Sequence, residues 1–291
     1  MPAPTHTPSA GRRTPRPLLR SAPGVPTSDG AGVRLTRIIG TAQIDMIDPF
    51  LLLDAFESDD PEDYILGFPD HPHRGFETVT YLLAGRMRHK DSAGHEGVIE
   101  PGGVQWMTAG RGIVHSEMPE QEDGLLKGFQ LWVNLPAAEK MTAPGYQEFS
   151  AEQIPVEHIE GGGLVRVIAG RTDRGTRALV EQIATEPLYL DISLQEAAAF
   201  EQTVPAAHAA FVYAIEGTVL VGEPRAPLPA GHLGVLGDGD CVGIHCGPQG
   251  GRCLLIAGRK LGEPIARAGP FVMNTREEVL QAFEDYRHGR L

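Results

Sequence analysis

Two short motifs place histidine and glutamate at alternate positions, a spacing that lets side chains of one β-strand bind one metal ion. His71 and His73 are separated by one proline, and His115 and Glu117 are separated by one serine. Residues two apart on a strand point to the same face of a sheet, so each motif offers a pair of side chains. Three imidazoles and one carboxylate suit iron, zinc, copper, nickel or manganese. The two motifs therefore predict a metal site.

A second carboxylate competes for the acidic position in this ligand set. If one strand runs unbroken from His71, alternation directs Glu77 to the same face as the two histidines. A strand break at Arg74 and Gly75 would remove this alternation. Residue spacing alone therefore leaves Glu77 and Glu117 both open as the metal-bound carboxylate.

Short β-rich segments separated by glycine turns must position these motifs. They run from residue 33 to 135 and again from residue 164 to 259, with turn signals about every 8–12 residues. This pattern predicts an all-β sandwich or barrel rather than alternating strands and helices. The segment from Tyr81 to Gly85 resembles that from Tyr213 to Gly217, which indicates a duplicated barrel.

The chain divides into four predicted segments. They are a disordered tail rich in proline and arginine, a metal-binding barrel, a linker, and a second barrel with a terminal helix, over residues 1–30, 31–137, 138–160 and 161–291. The tail prediction rests on composition, because seven prolines and few apolar side chains before Asp29 offer little to bury. A helix is predicted over residues 276–287, because Thr275 and Glu278 match a capping box ahead of apolar residues at helical spacing.

The second barrel lacks the metal-binding motifs at corresponding positions. The repeat aligns the first histidine pair with Thr203 and Pro205, and it leaves only His245 in place of the second motif. One imidazole cannot hold a metal ion by itself, so this barrel is predicted to be metal-free. Its other histidines, His208 and His232, are interpreted as ordinary polar residues.

Charge and cysteine content narrow the class of protein. Thirty-eight Asp and Glu against 25 Lys and Arg give a net charge of −13, which disfavours contact with nucleic acid or anionic membranes. The three cysteines fall within residues 241–253, and their odd number and spacing match no disulfide framework or common zinc motif. No apolar run reaches the ~18 residues of a membrane helix. We therefore expect a cytoplasmic protein that contacts neither nucleic acid nor membrane.

Four longer strings carry a resemblance to a known family. Residues 70–79, 105–119, 130–135 and 269–275 read DHPHRGFETV, QWMTAGRGIVHSEMP, QLWVNL and GPFVMNT, and they resemble the signatures of the pirin family. The resemblance extends from about residue 33 to residue 285. Pirins are bicupins, in which two β-barrels follow one another and only the N-terminal one holds a metal. The resemblance thus implies that both predicted barrels are cupins.

The resemblance also implies a particular metal and ligand set. By it the ligands are His71, His73, His115 and Glu117, and the metal is ferrous iron, Fe(2+), with other divalent transition metals able to bind. The general cupin pattern, in which a glutamate closely follows His-x-His, would instead select Glu77.

Two different functions are implied for a chain with this site. Some pirins have quercetin 2,3-dioxygenase activity, which predicts an iron-dependent oxidoreductase acting on a flavonol or catechol-like substrate and O2. In such an enzyme Glu117, or Glu77 beyond it, would take the proton of the substrate hydroxyl. Other pirins are transcription cofactors or regulators, so the alternative is a metal- and redox-gated protein that binds a protein partner. A monomer is expected.

Overall fold

Two β-barrels account for most of the computed structural model, which describes residues 13–181 and 184–291. The first twelve strands are β1 (Leu18–Pro23), β2 (Val25–Asp29), β3 (Val33–Ile39), β4 (Phe50–Ser58), β5 (Phe68–His73), β6 (Phe76–Ala84), β7 (Met87–Asp91), β8 (Glu96–Ile99), β9 (Val104–Thr108), β10 (Ile113–Pro119), β11 (Leu126–Asn134) and β12 (Gly145–Phe149). The rest of the chain adds β13 (Val156–His158), β14 (Gly163–Ala169), β15 (Leu188–Leu194), β16 (Ala199–Thr203), β17 (His208–Val221), β18 (Ala226–Pro229), β19 (His232–Leu236), β20 (Cys241–Arg259), β21 (Ala266–Ala268), β22 (Phe271–Met273) and the helix α1 (Arg276–Arg287). The predicted all-β fold with a short C-terminal helix is confirmed.

The first barrel is built from two antiparallel sheets. One has the strand order β12-β9-β6-β11-β4-β3-β2, and the other has the order β5-β10-β7-β8. Side chains of the two sheets meet in the interior, where Thr80 of β6 donates a hydrogen bond to Glu117 of β10. Apolar side chains such as Leu35, Phe56 and Leu82 pack together in another part of the barrel. The interior therefore combines an apolar cluster with a polar region.

The second barrel is formed by one nine-stranded sheet with an apolar interior. Its strand order is β1-β19-β17-β20-β15-β14-β13, with β16 paired to β20 and β18 paired to β17. Buried aliphatic side chains, including Val167, Leu190 and Ile244, pack against one another there. Such a core is stabilised by burial of apolar surface and needs no bound ligand.

The two barrels share a continuous hydrophobic core. Phe50 of the first barrel packs edge-on against Phe211 of the second, with ring centroids 5.3 Å apart. The Tyr81 hydroxyl donates a 2.6 Å hydrogen bond to the fully buried Asp191, and Arg252 donates to the same carboxylate at 2.7 and 2.9 Å. Because the buried carboxylate has both a cationic and a neutral donor, its burial is compensated. The barrels are thus joined by packing and by a satisfied polar contact.

The prediction of a disordered tail over residues 1–30 is wrong for residues 13–30, which the structure describes. Strand β1 pairs with β19 at the edge of the second barrel's sheet, and β2 pairs with β3 of the first. The buried Arg16 guanidinium donates hydrogen bonds to the carbonyl oxygens of Gly237 at 3.0 Å and Pro205 at 2.7 Å. Edge strands are held by main-chain groups and tolerate proline, so a composition argument misses them. Residues 1–12 lie outside the described residues.

The predicted linker, residues 138–160, contributes strands to both barrels. Strand β12 pairs with β9 and completes the larger sheet of the first barrel, whereas β13 pairs with β14 of the second. On one face of β12, the ring of Tyr146 stacks near His89 and the half-exposed Glu148 accepts a hydrogen bond from Gln105. An alternation of apolar and polar residues is therefore absent, and β12 could not be recognised as a strand.

The helix forms where predicted but packs on the first barrel, not on the second. The capping box of Thr275 and Glu278 is present at its N-terminus. Arg74 forms a 2.8 Å ion pair with Asp285 of the helix, and its main chain bridges to Phe271 of β22. The N-terminal strand β1 therefore joins the second barrel, whereas the C-terminal elements β21, β22 and α1 cover the first. None of the helices in the described ranges is long and apolar enough to cross a membrane.

Deleting residues 1–23 is expected to destabilise the protein. The deletion removes β1, exposes the edge of β19, and leaves the carbonyl oxygens of Gly237 and Pro205 without the buried Arg16 donor. A loss of about 2 kcal/mol would lower the Tm by roughly 5 °C in a chain of this size. Calorimetry against a deletion of residues 1–12, which retains β1, measures this difference. Equal Tm values for the two deletions would show that β1 contributes nothing to stability.

Candidate metal centre

Antiparallel pairing of β5 with β10 brings three histidines together. His115 lies directly opposite His71 in the register, and His73 points to the same face two residues later. The ring centroids are 4.4 Å apart for His71 and His115, 4.6 Å for His71 and His73, and 5.1 Å for His73 and His115. One ligand nitrogen from each ring lies within 4.8 Å of the other two.

The three rings have nitrogens available for a metal ion. Nδ1 of His73 and both ring nitrogens of His115 are buried without a hydrogen-bond partner in the described part of the chain. Nδ1 of His71 lies 2.8 Å from the Pro69 carbonyl oxygen, and the tautomer that donates this bond leaves Nε2 free to bind a metal. Unpartnered buried polar atoms are costly, and a shared metal ion would remove that cost.

Burial also sets the protonation state of these rings. It lowers the pKa of His73 and of His115 well below the usual value for histidine, and the neighbouring imidazoles lower both further. The rings of His73 and His115 are therefore neutral near pH 7, the form that donates a lone pair to a metal. Three imidazoles beside a carboxylate fit a divalent transition metal, and they would hold it from one wall of the first barrel.

Glu117 lies beside this group in the same cavity as His71 and His73, although it is outside the set of atoms within 4.8 Å of one another. Glu117 lies two residues after His115 on β10, and the pairing of β10 with β5 shifts register between them. Thr80 Oγ1 donates to Glu117 Oε1 at 3.0 Å, and Gln130 Nε2 donates to Oε2 at 3.2 Å. Two donors thus orient the buried carboxylate beside the imidazoles.

Glu77 faces a different cavity. The chain breaks its alternation at Gly75, whose φ of 89° lies in the left-handed region, and a Cβ there would be 2.0 Å from the Val272 carbonyl oxygen. After this break Phe76, not Glu77, continues the inward face, with its ring centroid 5.0 Å from that of His73. Glu77 instead accepts a 2.7 Å hydrogen bond from Thr108, and both line the other cavity. An unbroken alternation would have placed Glu77 beside the histidines, but in the structure Glu77 lines the other cavity.

The cavity beside the histidines has a volume of about 620 Å³ and is lined by distant parts of the chain. Its walls include Asp29 of the β2–β3 hairpin and Arg267 and Pro270 of the C-terminal segment. The Arg267 guanidinium lies 4.8 Å from the ring centroid of Trp132, a cation–π distance. Trp132 and Arg267 both line this cavity, and neither was predicted as a site residue from the sequence.

Two residues of this cavity wall could have been predicted from the sequence. Gln130 and Trp132 alternate on β11, within a string already recognised as family-specific, so period-2 spacing directs both to one face. Arg267 carries no such signal, because its place in the cavity depends on how the C-terminal segment returns to the first barrel.

The second barrel's histidines lie in other surroundings. His208 Nε2 is 3.5 Å from a Glu186 carboxylate oxygen, and His232 Nδ1 is 3.2 Å from the Ala230 carbonyl oxygen. Within residues 13–181 and 184–291, groups of three or more potential ligands occur only in the first barrel. That the second barrel is metal-free stays a prediction.

Comparisons with known proteins agree with this architecture. A family model described as Pirin matches residues 32–133, and one described as Pirin C-terminal cupin domain matches residues 189–291. A pirin-like protein of Caulobacter vibrioides is 54% identical over 94% of this chain and 99% of its own length. A Pseudomonas aeruginosa protein, provisionally named a quercetin 2,3-dioxygenase, is 49% identical over 95% of this chain and 98% of its own.

A solved structure agrees as well. A quercetin 2,3-dioxygenase from Acinetobacter baumannii superposes with a TM-score of 0.86 and 33% identity, over 94% of this chain and 98% of that one. Two cupin barrels with a histidine cluster in the first define this protein as a bicupin with a candidate metal centre. The chain belongs to the pirin family, which confirms the resemblance drawn from its sequence.

Exchanging the two competing carboxylates for amides should separate their roles. Glu117→Gln should weaken iron binding about 10–100-fold, because the change removes a charge beside the imidazoles. Glu77→Gln is the matched control and should leave iron binding unchanged, because Glu77 faces another cavity. Competition of each iron-loaded variant with a chelator gives the affinities. A larger loss in Glu77→Gln would identify Glu77 as the metal-bound carboxylate and contradict this assignment.

Proposed function

We propose that this chain is an iron-dependent dioxygenase that opens the heterocyclic ring of a flavonol such as quercetin with O2. The observation that carries the proposal is a cluster of three imidazoles, two of which line a cavity of about 620 Å³ together with the oriented carboxylate of Glu117. Cavities of about 300–1,000 Å³ accommodate ligands of this size. The names of the Pseudomonas relative and the Acinetobacter structure support the same reaction class.

The metal would be held by His71, His73 and His115, with Glu117 as the fourth ligand in this proposal. Bound iron would supply the Lewis-acid and redox chemistry that amino-acid side chains lack. Burial keeps the rings of His73 and His115 neutral, so their lone pairs are available at neutral pH.

The cavity wall offers a surface suited to a flat, acidic aromatic molecule. Trp132 lines the cavity and would contact an aromatic ring bound there, and such contacts are worth about 0.5–1.5 kcal/mol beyond area burial. The Arg267 guanidinium beside Trp132 supplies a positive charge for a phenolate oxygen. Together they would orient the flavonol relative to the histidines.

Glu117 is the group placed to accept the proton of the substrate hydroxyl. Thr80 and Gln130 each donate a hydrogen bond to it, so its carboxylate keeps one orientation while lone pairs remain for a proton. The β2–β3 hairpin and the C-terminal segment wall the cavity, and both would exclude water once a substrate is bound. The alternative of a partner-binding regulator stays a prediction.

Aerobic turnover of quercetin by iron-loaded protein tests the proposal. We expect loss of quercetin with uptake of one O2 per molecule, and no turnover by chelator-treated protein or by His73→Ala. Trp132→Ala should raise KM by about tenfold, in line with the loss of an aromatic contact of up to 1.5 kcal/mol. His288→Ala, on the exposed end of α1, is the matched histidine control and should behave as the unmodified chain.

Two results would reject the proposal. One is the absence of turnover by protein shown to contain iron. The other is equal turnover by the iron-loaded protein and His73→Ala, since the reaction would then not depend on the histidine cluster.

A further inference from the structure

A second group of metal-ligating side chains lies in the first barrel. His89 lies on β7, His95 follows the β7–β8 turn, and Glu148 lies on β12. One ligand atom from each of the three lies within 4.8 Å of the other two. We propose that these residues bind a second divalent metal ion, zinc, at a site separate from the histidine cluster of β5 and β10.

The contacts within this group are those of ligands grouped around one ion. Nε2 of His89 lies 2.8 Å from Oε1 of Glu148, and Nε2 of His95 lies 3.0 Å from the same oxygen. The first contact lacks the alignment of a hydrogen bond, and both ring nitrogens of His89 are unpartnered in the described part of the chain. Since His89 is 1% exposed, water cannot satisfy them easily. A metal ion bound between the rings and the carboxylate would give the ring nitrogens a partner.

Neighbouring residues hold each ligand in place. Gln105 Nε2 donates a 2.7 Å hydrogen bond to Oε1 of Glu148. Oδ1 of Asp91 accepts hydrogen bonds from the main-chain nitrogens of Ala93 and His95, which fixes the turn that carries His95. Ligand sets supported in this way bind metals more tightly than unsupported ones.

The site is shaped by packing as well as by hydrogen bonds. The ring of Tyr146 stacks on His95 with centroids 4.3 Å apart, which limits rotation of that imidazole. Gly97 faces the group, and a Cβ there would lie 2.5 Å from Nε2 of His89 and 3.2 Å from Oε2 of Glu148. Only glycine leaves the approach to the ligand atoms clear.

Charge and access favour a cation. The carboxylate of Glu148 supplies an acidic oxygen to the group, 2.8 Å from Nε2 of His89 and 3.0 Å from Nε2 of His95. The side chains of His95 and Glu148 are 40% and 35% exposed, so an ion can enter from solvent.

The donor set of two imidazoles and one carboxylate suits a divalent transition metal, and the proposal commits to zinc. Two imidazoles and one carboxylate, with a position left for water, are a frequent zinc arrangement. Magnesium and calcium prefer oxygen ligands and should bind weakly. The rival interpretation is a hydrogen-bonded triad that binds no metal.

Zinc titration of iron-loaded, full-length protein tests the proposal, with both metals counted by elemental analysis after removal of free ions. We expect one zinc per chain in addition to the iron. His95→Ala and Glu148→Gln should each weaken zinc binding at least about tenfold, with iron content unchanged. His73→Ala should show the reverse, losing iron and keeping this zinc. His288→Ala is the control for loss of an exposed histidine.

Two outcomes would overturn the second site. If the protein bound no zinc outside the iron-binding site, His89, His95 and Glu148 would be a hydrogen-bonded triad that binds no metal. Equal zinc binding by His95→Ala and the unmodified chain would place the zinc elsewhere. Because the readout is metal content rather than turnover, the result is independent of the proposed dioxygenase activity.

Discussion

His73 and His115 are buried against each other and against His71, and the candidate metal centre depends on the neutral state that burial imposes on these two rings. Protonating more than one would place like charges about 4–5 Å apart with little solvent to screen them. Burial disfavours the charged form and keeps the lone pairs free. A divalent metal is the partner that turns this otherwise costly arrangement into a favourable one.

The C-terminal segment of the chain helps to hold the strand that carries His71 and His73. Directly after His73, Arg74 forms an ion pair with Asp285 of the C-terminal helix and donates a hydrogen bond to the Arg111 carbonyl oxygen, just before β10. Gly75 then lets the main chain approach β22 more closely than any other residue could. The second barrel shares a hydrophobic core with the first, and buried aliphatic side chains pack together in its own interior.

Features that follow from local sequence rules could be predicted, whereas features that depend on contacts between distant segments could not. Alternation placed His71 and His73 correctly on one face, and the capping box at Thr275 located the helix, because both are local rules. Glu77 could not be assigned in the same way, because one glycine reverses the alternation between β5 and β6. Strands β1 and β12 were missed because an edge pairing and polar neighbouring side chains leave no apolar pattern.

Diffraction from crystals of the iron-loaded protein, measured on both sides of the iron absorption edge, tests the central claim most directly. The account predicts an anomalous peak about 2.0–2.2 Å from one ring nitrogen of each of His71, His73 and His115, with the Glu117 carboxylate as the nearest acidic group. An iron peak beside Glu77 and Thr108, or its absence from the histidine cluster of iron-loaded protein, would contradict it.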